Sequence, residues 1–198
     1  MMPKKFEKEF ISFCESQNLQ VNPNQIKVIK KLEDYYQSNY KSFLAKLFSK
    51  KKSKKGFYLY GGVGVGKTMI LNFFYDHLHE KKLKQHFNEF MLGFHDFVYE
   101  RKEKNEENVI NQFVKNLKSK ASLIYFDEFQ VTNIVDAMIL GKLFEQIFKE
   151  DIKIILTSNT KISELYKEGL QREQFVPFIK IMEDQSIEYE LKIEDDYR

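Results

Sequence analysis

The sequence GGVGVGKT, residues 61–68, decides the fold class because it fits the pattern G-x-x-x-x-G-K-[ST] in full. Glycines in this pattern let the backbone turn so that successive N–H groups face inward, where they can bind phosphate oxygens. A helix after the loop would direct the positive end of its dipole at the same anion. The segment predicts a phosphate-binding loop, or Walker A motif, made of Gly61, Gly62, Val63, Gly64, Val65, Gly66, Lys67 and Thr68.

Two side chains of this loop have predicted roles in binding a nucleotide. Lys67 is expected to reach the β- and γ-phosphates, and Thr68 is expected to offer its hydroxyl to Mg²⁺. A glycine-rich turn without a ligand would explain neither the lysine nor the threonine. The sequence therefore predicts a site for a nucleoside triphosphate with magnesium.

A second candidate motif, of the Walker B type, is LIYFDE at residues 123–128. A continuous apolar run closed by acids indicates a strand buried on both faces. The carboxyl ends of parallel strands meet at the binding crevice of a sheet, so Asp127 is expected to hold the magnesium, directly or through water. Glu128 is expected to orient or deprotonate the attacking water as a general base.

Polar residues also follow a further apolar run, ILTSN at residues 155–159. If this run is a strand of the same sheet, Ser158 and Asn159 could hydrogen-bond the γ-phosphate or its water. The alternative is structural, because Ser-Asn pairs commonly form a turn or a helix cap.

Arg172, within GLQREQF at residues 169–175, has two interpretations. In the first, it sits in a surface ion pair, which contributes little to stability. Alternatively, it is an arginine finger that reaches the phosphates bound by a neighbouring subunit and offsets the charge of the transition state.

Apolar periodicity along the rest of the chain predicts strands and helices in alternation. The predicted strands are 56–60, 84–91, 122–128, 152–159 and 186–194; the predicted helices are 68–78, 97–117, 134–148 and 163–168. Gly169 is expected to end the last of these helices in a left-handed cap. The alternation favours an α/β fold of the P-loop NTPase class: one domain with a five-stranded, mostly parallel sheet and helices on both faces.

The N-terminal region is predicted to be helical from residue 4 to 48, with a turn at 21–25 around Pro23. The lysine run Lys50–Lys55 follows, and it predicts a solvated loop, with a nucleic-acid contact as the alternative. We therefore divide the chain into an N-terminal helical segment, 1–49, packed on a nucleotide-binding core, 50–198.

Composition limits the class of protein further. The 198 residues carry a formal net charge of +3, with 42% hydrophobic and 31% charged residues, a globular balance. Cys14 is the only cysteine, which excludes an intramolecular disulfide or a multi-cysteine zinc site. The N-terminal residues lack the apolar core of a secretory signal, and no apolar run approaches the ~18 residues of a transmembrane helix. We expect a cytoplasmic protein without a transmembrane segment.

Taken together, these segments resemble the ZapE-type AAA+ ATPases, a family that includes bacterial cell-division factors and the mitochondrial lactation-elevated type. The resemblance is carried by YLYGGVGVGKTMI, HFNEFM, IYFDEFQVTNIVDAMILGKLF, TSN and LYKEGLQREQFVPFI, with NPNQ at 22–25 and DYR at 196–198 near the boundaries. It implies an AAA+ core, ATP rather than GTP, and assembly into a ring. It also implies that Asn159 is the sensor-1 residue and that Arg172 is a finger acting in trans.

The resemblance further implies a role tied to membrane-associated division machinery in bacteria, or to protein quality control in mitochondria. Family members continue past DYR into a C-terminal helical lid with a second sensor arginine, whereas this sequence stops at Arg198. We therefore expect the lid to be absent and ring assembly to be weakened, with peripheral membrane association only through partners.

Three hypotheses about function follow. The first is a Mg²⁺-dependent ATPase that couples hydrolysis to the remodelling of a protein partner. The second is an ATP-binding interaction module with little hydrolysis, because the lid is missing. The third is a helicase-loader-like ATPase on nucleic acid, motivated by Lys50–Lys55. The sequence favours the first, with a protein rather than a nucleic acid as the partner.

Overall fold

Five parallel strands form the sheet at the centre of the molecule. The computed structural model describes residues 5–40, 53–101 and 105–193. The strands are β1 (Gly56–Gly61), β2 (Lys82–His86), β3 (Leu123–Asp127), β4 (Lys153–Ser158) and β5 (Ser186–Leu191). Their order across the sheet is β2-β3-β4-β1-β5, and each neighbouring pair is parallel.

Helices cover both faces of this sheet. They are α1 (Lys5–Ser16), α2 (Pro23–Tyr40), α3 (Lys67–Asp76), α4 (Phe87–Arg101), α5 (Glu106–Lys120), α6 (Ile134–Lys149) and α7 (Val176–Gln185), with short 3-10 helices at Ile162–Glu164 and Arg172–Gln174. The first three helices share one hydrophobic core with the sheet, and the last four share the other. The predicted α/β fold is confirmed.

The strand β3 contributes to both cores. Ile124 and Phe126 pack in the core under α4–α7, whereas Leu123 and Tyr125 pack in the core under α1–α3. Successive side chains of a strand point to opposite faces, so burial on both faces requires a continuous apolar run. This run ends at Asp127, on the edge of the sheet where the strands have their carboxyl ends.

The predicted strand at 84–91 is wrong in its second half. β2 ends at His86, and α4 begins at the next residue without a loop. Phe87, Phe90 and Phe94 are buried, and their three- and four-residue spacing is that of one helix face. The chain turns into a helix because this spacing packs a continuous aromatic face on the core.

The predicted helix at 97–117 is in fact parts of two helices, α4 and α5. Residues 102–104, which connect them, lie outside the described residues. Asn105 caps α5, because its Oδ1 accepts a hydrogen bond from the N–H of Asn108 at 3.2 Å. This bond satisfies one of the N–H groups that the first turn of a helix leaves unpaired. The asparagine therefore begins a new helix where periodicity predicted a continuous one.

The predicted helix at 163–168 is also wrong. A single 3-10 turn forms at Ile162–Glu164, and the chain then turns at Tyr166, whose φ is 54°. Gly169 is not among the described residues with positive φ, so it does not form the predicted left-handed cap. Sequence reasoning missed the next helix, α7, whose buried residues are Phe178, Ile179 and Met182.

The lysine run is only partly described, since residues 41–52 lie outside the described residues. Lys54 donates its ammonium to the carbonyl oxygen of Glu183 in α7 at 2.7 Å. Lys55 donates to the carbonyl oxygen of Phe148 in α6 at 2.5 Å. These two lysines therefore bind carbonyl groups near the ends of helices, where a cation is favoured by the helix dipole.

The helix α1 is anchored by aromatic side chains. The Phe10 ring is fully buried and lies 5.1 Å, centroid to centroid, from the ring of Phe73 in α3. Phe6 lies 5.4 Å from Phe74 in the same helix. The N-terminal helix therefore packs on the helix that follows the phosphate loop.

Replacement of Phe10 by alanine should measure this anchoring. Phe10→Ala leaves a cavity between α1 and α3, so the free energy of unfolding should fall by about 3–5 kcal/mol. Lys8→Ala, at an exposed position of the same helix, should change it by less than about 0.5 kcal/mol. Urea denaturation compares the two variants, and equal stabilities would show that α1 does not contribute to the core.

Candidate functional site

The loop of residues 61–68 joins the end of β1 to the start of α3. Gly64 and Gly66 have φ values of 83° and 90°, in the left-handed region that residues with a Cβ rarely adopt. Gly66 is the N-cap of α3, so the unpaired N–H groups of the first helical turn lie next to the loop. Together, these amides and the positive end of the helix dipole form a binding site for an anion.

Lys67 lies within the loop. Its Nζ donates to the carbonyl oxygens of Gly61 and Gly62 at 2.9 and 2.6 Å, and to Oδ1 of Asn159 at 2.9 Å. Burial lowers the pKa of the Lys67 ammonium, and the nearby Asp127 carboxylate offsets part of this effect. The lysine predicted to bind phosphate therefore lies in the loop and contacts the polar residue that follows β4.

The two residues predicted to hold a metal ion lie in contact. Oδ1 of Asp127 accepts a hydrogen bond from Thr68 Oγ1 at 3.1 Å and another from Thr157 Oγ1 at 2.6 Å. Asp127 is only 6% exposed, so its carboxylate depends on such partners. Hydroxyl and carboxylate oxygens are ligands that Mg²⁺ accepts alongside water and substrate phosphates. The donor set therefore fits magnesium.

Glu128 stands at the rim of this cluster with an exposed side chain. Its φ is 54°, which is uncommon for a residue with a Cβ. Its N–H group donates to Thr157 Oγ1 at 3.0 Å and to Asp127 Oδ1 at 3.1 Å. These hydrogen bonds hold the backbone in the turn from which the Glu128 side chain borders the cavity in front of the loop.

The two polar residues after β4 have different environments. Ser158 is buried; its hydroxyl donates to the carbonyl oxygen of Phe129 at 3.0 Å and accepts from the N–H of Thr160 at 3.2 Å. Asn159 is exposed and binds Lys67. Ser158 therefore stabilises the turn, as the structural alternative predicted, whereas Asn159 faces the site.

An open cavity of about 530 Å³ lies in front of the loop. Among the predicted site residues, those in its wall are Val63, Gly64, Gly66, Lys67, Thr68, Glu128, Ser158 and Asn159. Gly62 and Val65 are next to lining residues in the sequence. Gly61 and Asp127 accept hydrogen bonds from the lining residues Lys67 and Thr68. The fold thus brings together residues from the ends of three strands, β1, β3 and β4.

Arg172 is not among the residues that line this cavity. It begins the second 3-10 helix, where its Nη2 donates to the carbonyl oxygen of Ser163 at 2.8 Å. Its Nε is buried and has no hydrogen-bond partner among the described residues. The structure therefore leaves Arg172 outside the site of its own chain.

Comparison with known protein families identifies the group to which this site belongs. A model of the AFG1-like ATPases matches residues 11–198. The chain belongs to the AFG1-like ATPase family. The match includes the helices α2–α7, all five strands and the loop, so it extends over nearly the whole chain.

Curated relatives agree with this assignment. The chain is 40% identical over 146 residues to lactation elevated protein 1 homolog B of Danio rerio, covering 69% of this chain and 29% of that protein. It is 37% identical over 142 residues to the cell division protein ZapE of Escherichia coli K12, covering 69% and 37%. The resemblance to the ZapE and lactation-elevated type is therefore confirmed, although the chain spans well under half of either relative.

Solved structures share the fold of this AFG1-like ATPase at low sequence identity. The DnaC helicase loader superposes with a TM-score of 0.57 at 11% identity, covering 87% of this chain and 92% of that one. AMPPCP-bound DnaA from Aquifex aeolicus superposes with a TM-score of 0.55 at 19% identity, covering 89% of this chain and 49% of that one. Both likenesses support the P-loop NTPase fold. In the part of the AFG1-like chain that the structure describes, no helix combines the length and apolar character needed to cross a membrane.

Sequence reasoning missed Thr157, which links the two acids of this AFG1-like site. Its hydroxyl donates to Asp127 and accepts from the N–H of Glu128, and the residue is almost fully buried. The one signal in the sequence is a hydroxyl residue at the end of the apolar run IIL. That signal does not show that Thr157 lies beside Asp127, at the end of the neighbouring strand β3.

Replacement of Thr157 by valine should weaken magnesium binding. Thr157→Val keeps the shape of the side chain but removes both hydrogen bonds, so the Asp127 carboxylate loses its orientation. The Mg²⁺ concentration for half-maximal nucleotide binding should rise by about 10- to 100-fold, the usual effect of losing a hydrogen bond to a metal ligand. Calorimetric titration with magnesium in the presence of nucleotide measures this concentration.

Thr157→Ser is the matched control, because it keeps the hydroxyl and should stay close to wild type in magnesium affinity. Nucleotide binding in the presence of a chelator should be the same in both variants. Equal magnesium affinity in the valine and serine variants would contradict the role of the hydroxyl.

Proposed function

We propose that this chain binds ATP with Mg²⁺ and hydrolyses it to drive the remodelling of a partner protein. The observation that carries the proposal is the 3.1 Å contact between the side-chain oxygens of Thr68 and Asp127. These residues stand at the two positions from which P-loop NTPases hold the metal ion. Family membership supports ATP as the nucleotide, as does the binding of AMPPCP by DnaA, which has the same fold.

The loop residues bind and orient the triphosphate in this proposal. Lys67 exchanges the carbonyl oxygens of Gly61 and Gly62 for β- and γ-phosphate oxygens, because an anion attracts an ammonium group more strongly than a neutral carbonyl does. Thr68 and Asp127 would hold Mg²⁺. The ion, when bound, neutralises charge on the phosphate oxygens during transfer.

Glu128 and Asn159 complete the catalytic set that we propose. The exposed Glu128 carboxylate holds the attacking water and accepts its proton. Asn159 already shares a hydrogen bond with Lys67, so it is well placed to act as a sensor of the γ-phosphate. The hydroxyl of Thr157 orients the carboxylate of Asp127 and the backbone of Glu128.

We propose further that Arg172 completes the site of a neighbouring chain in a ring. No arginine is present among the described residues that line the cavity. Phosphoryl transfer benefits from an arginine that offsets transition-state charge, and such an arginine can be supplied in trans. Arg172 is half-buried and lies outside its own site, which supports this role.

A protein is the partner that we propose for remodelling. The relative from E. coli is named as a cell division protein, which makes division machinery a candidate, with the activity placed in the cytoplasm and membrane association only through partners. The fold of the DnaC helicase loader raises nucleic acid as the alternative. The two described lysines of the run, Lys54 and Lys55, donate to carbonyl groups of their own chain, so they do not support this alternative.

Two substitutions should separate binding from turnover. Lys67→Ala removes the ammonium, so ATP affinity should fall by about 10- to 100-fold, as expected for a hydrogen bond to a charged group. Glu128→Gln removes the base but not the loop, so ATP affinity should be retained while turnover falls by about 100-fold or more. Calorimetry and phosphate release measure the two effects.

Lys180→Ala and Glu183→Gln serve as controls, because both residues are exposed on α7, which ends where β5 begins, at the edge of the sheet opposite the loop. Both variants should bind and hydrolyse ATP as the wild type does. Turnover that persists in the Lys67→Ala protein would refute the proposed hydrolysis. ATP binding without turnover at any protein concentration would instead favour an ATP-binding interaction module.

A mixing experiment tests Arg172. Arg172→Ala protein has an intact site but no finger, whereas Lys67→Ala protein has the finger but a disabled site. If the arginine acts in trans, each variant should hydrolyse ATP at least about 10-fold more slowly than wild type, and an equal mixture should recover part of the turnover. Wild-type turnover by Arg172→Ala alone would contradict the role.

A further inference from the structure

The first turn of α2 lies between the phosphate loop and the end of β5. Asn22 begins the turn, since its Oδ1 accepts a hydrogen bond from the N–H of Asn24 at 2.8 Å. Nδ2 of Asn24 donates to the carbonyl oxygen of Lys192 at 2.8 Å, just after β5. The next residue, Gln25, reaches the phosphate loop on the other side.

Gln25 contacts the loop at the peptide between Val65 and Gly66. Its Nε2 donates to the carbonyl oxygen of Val65 at 3.1 Å, and the residue is only 7% exposed. A Cβ on Gly66 would lie 2.8 Å from the same nitrogen. The close approach of Gln25 therefore requires glycine at position 66, in addition to its left-handed φ.

The geometry of a peptide bond gives this contact a consequence for phosphate binding. The unit between Val65 and Gly66 is planar and trans, so its C=O and N–H groups point in opposite directions. A donor that holds the Val65 carbonyl against α2 therefore turns the Gly66 N–H toward the opposite side. Gly66 is one of the residues that line the cavity.

We infer that Gln25 is a positioning residue, which orients the Gly66 amide toward the phosphates by holding the carbonyl of Val65. The inference rests on the proposed function, since it concerns the same nucleotide site. It assigns part of the phosphate-binding geometry to a residue of α2 that lies outside both the Walker A and the Walker B segments.

The other end of the Gln25 amide supports this role. Its Oε1 is buried and has no hydrogen-bond partner among the described residues. A buried acceptor without a partner destabilises the folded state, so such a group calls for an explanation. Rotation of the amide would not help, because it would place Oε1 against the carbonyl oxygen of Val65. The donor is needed at this position, and the unpaired acceptor accompanies it.

Gln25→Met tests the inference, because methionine has a similar length and shape but no N–H donor. Tripolyphosphate has no base or ribose, so its affinity reports on the groups that bind phosphate: the loop amides, Lys67 and the magnesium site. We expect tripolyphosphate and ATP to bind Gln25→Met protein about 3- to 10-fold more weakly than wild type. The Gly66 amide resonance should shift less on tripolyphosphate addition, while adenosine binding should not change.

Asn24→Ala is the matched control. It removes the neighbouring hydrogen bond to Lys192 and should leave tripolyphosphate affinity unchanged. Thermal unfolding of both variants shows whether a loss of affinity arises from a loss of folded protein. If Gln25→Met leaves folding intact and binds tripolyphosphate as the wild type does, the inference is wrong while the proposed ATPase stands. If wild-type protein binds neither ATP nor tripolyphosphate, both are wrong.

Discussion

The contact between Thr68 and Asp127 is the constraint on which the site depends, because it joins the start of α3 to the end of a strand, β3, that does not neighbour β1. β1 leads into the loop and β3 ends at Asp127, but β4 lies between them in the sheet. The two side chains meet because all three strands run parallel and end at the same edge. Thr157 at the end of β4 fills the gap and donates to the carboxylate from there.

The hydrogen bonds of Asp127 also show how one carboxylate can be both structural and functional. Thr68, Thr157 and the N–H of Glu128 all donate to Oδ1, and none of the three donates to Oδ2. A buried carboxylate is stabilised by hydrogen-bond donors. Since these three donors all bind Oδ1, we assign Oδ2 to the magnesium ion, or to its water, in the proposed function.

The contiguous parts of the site could be predicted from the sequence, whereas the parts that depend on register could not. The loop and the pair Asp127–Glu128 are local patterns, and the rule that parallel strands end at one edge brings them together. Thr157 acts because β3 and β4 pair with Phe126 opposite Leu156, which no local pattern specifies. The error at 84–91 has a related cause, since a short apolar segment fits both strand and helix until its packing is known.

The N-terminal helices also reach the site through contacts between residues that are far apart in the sequence. α1 and α2 share a core with α3, the helix that starts at the phosphate loop, through residues such as Phe10, Val28 and Phe73. Packing in that core places α2 beside the loop, where Gln25 donates to one loop carbonyl at 3.1 Å. Glycines give the loop its shape but also its freedom. A donor that is held by packing outside the loop limits that freedom, which explains how residues far from the phosphates can influence their binding.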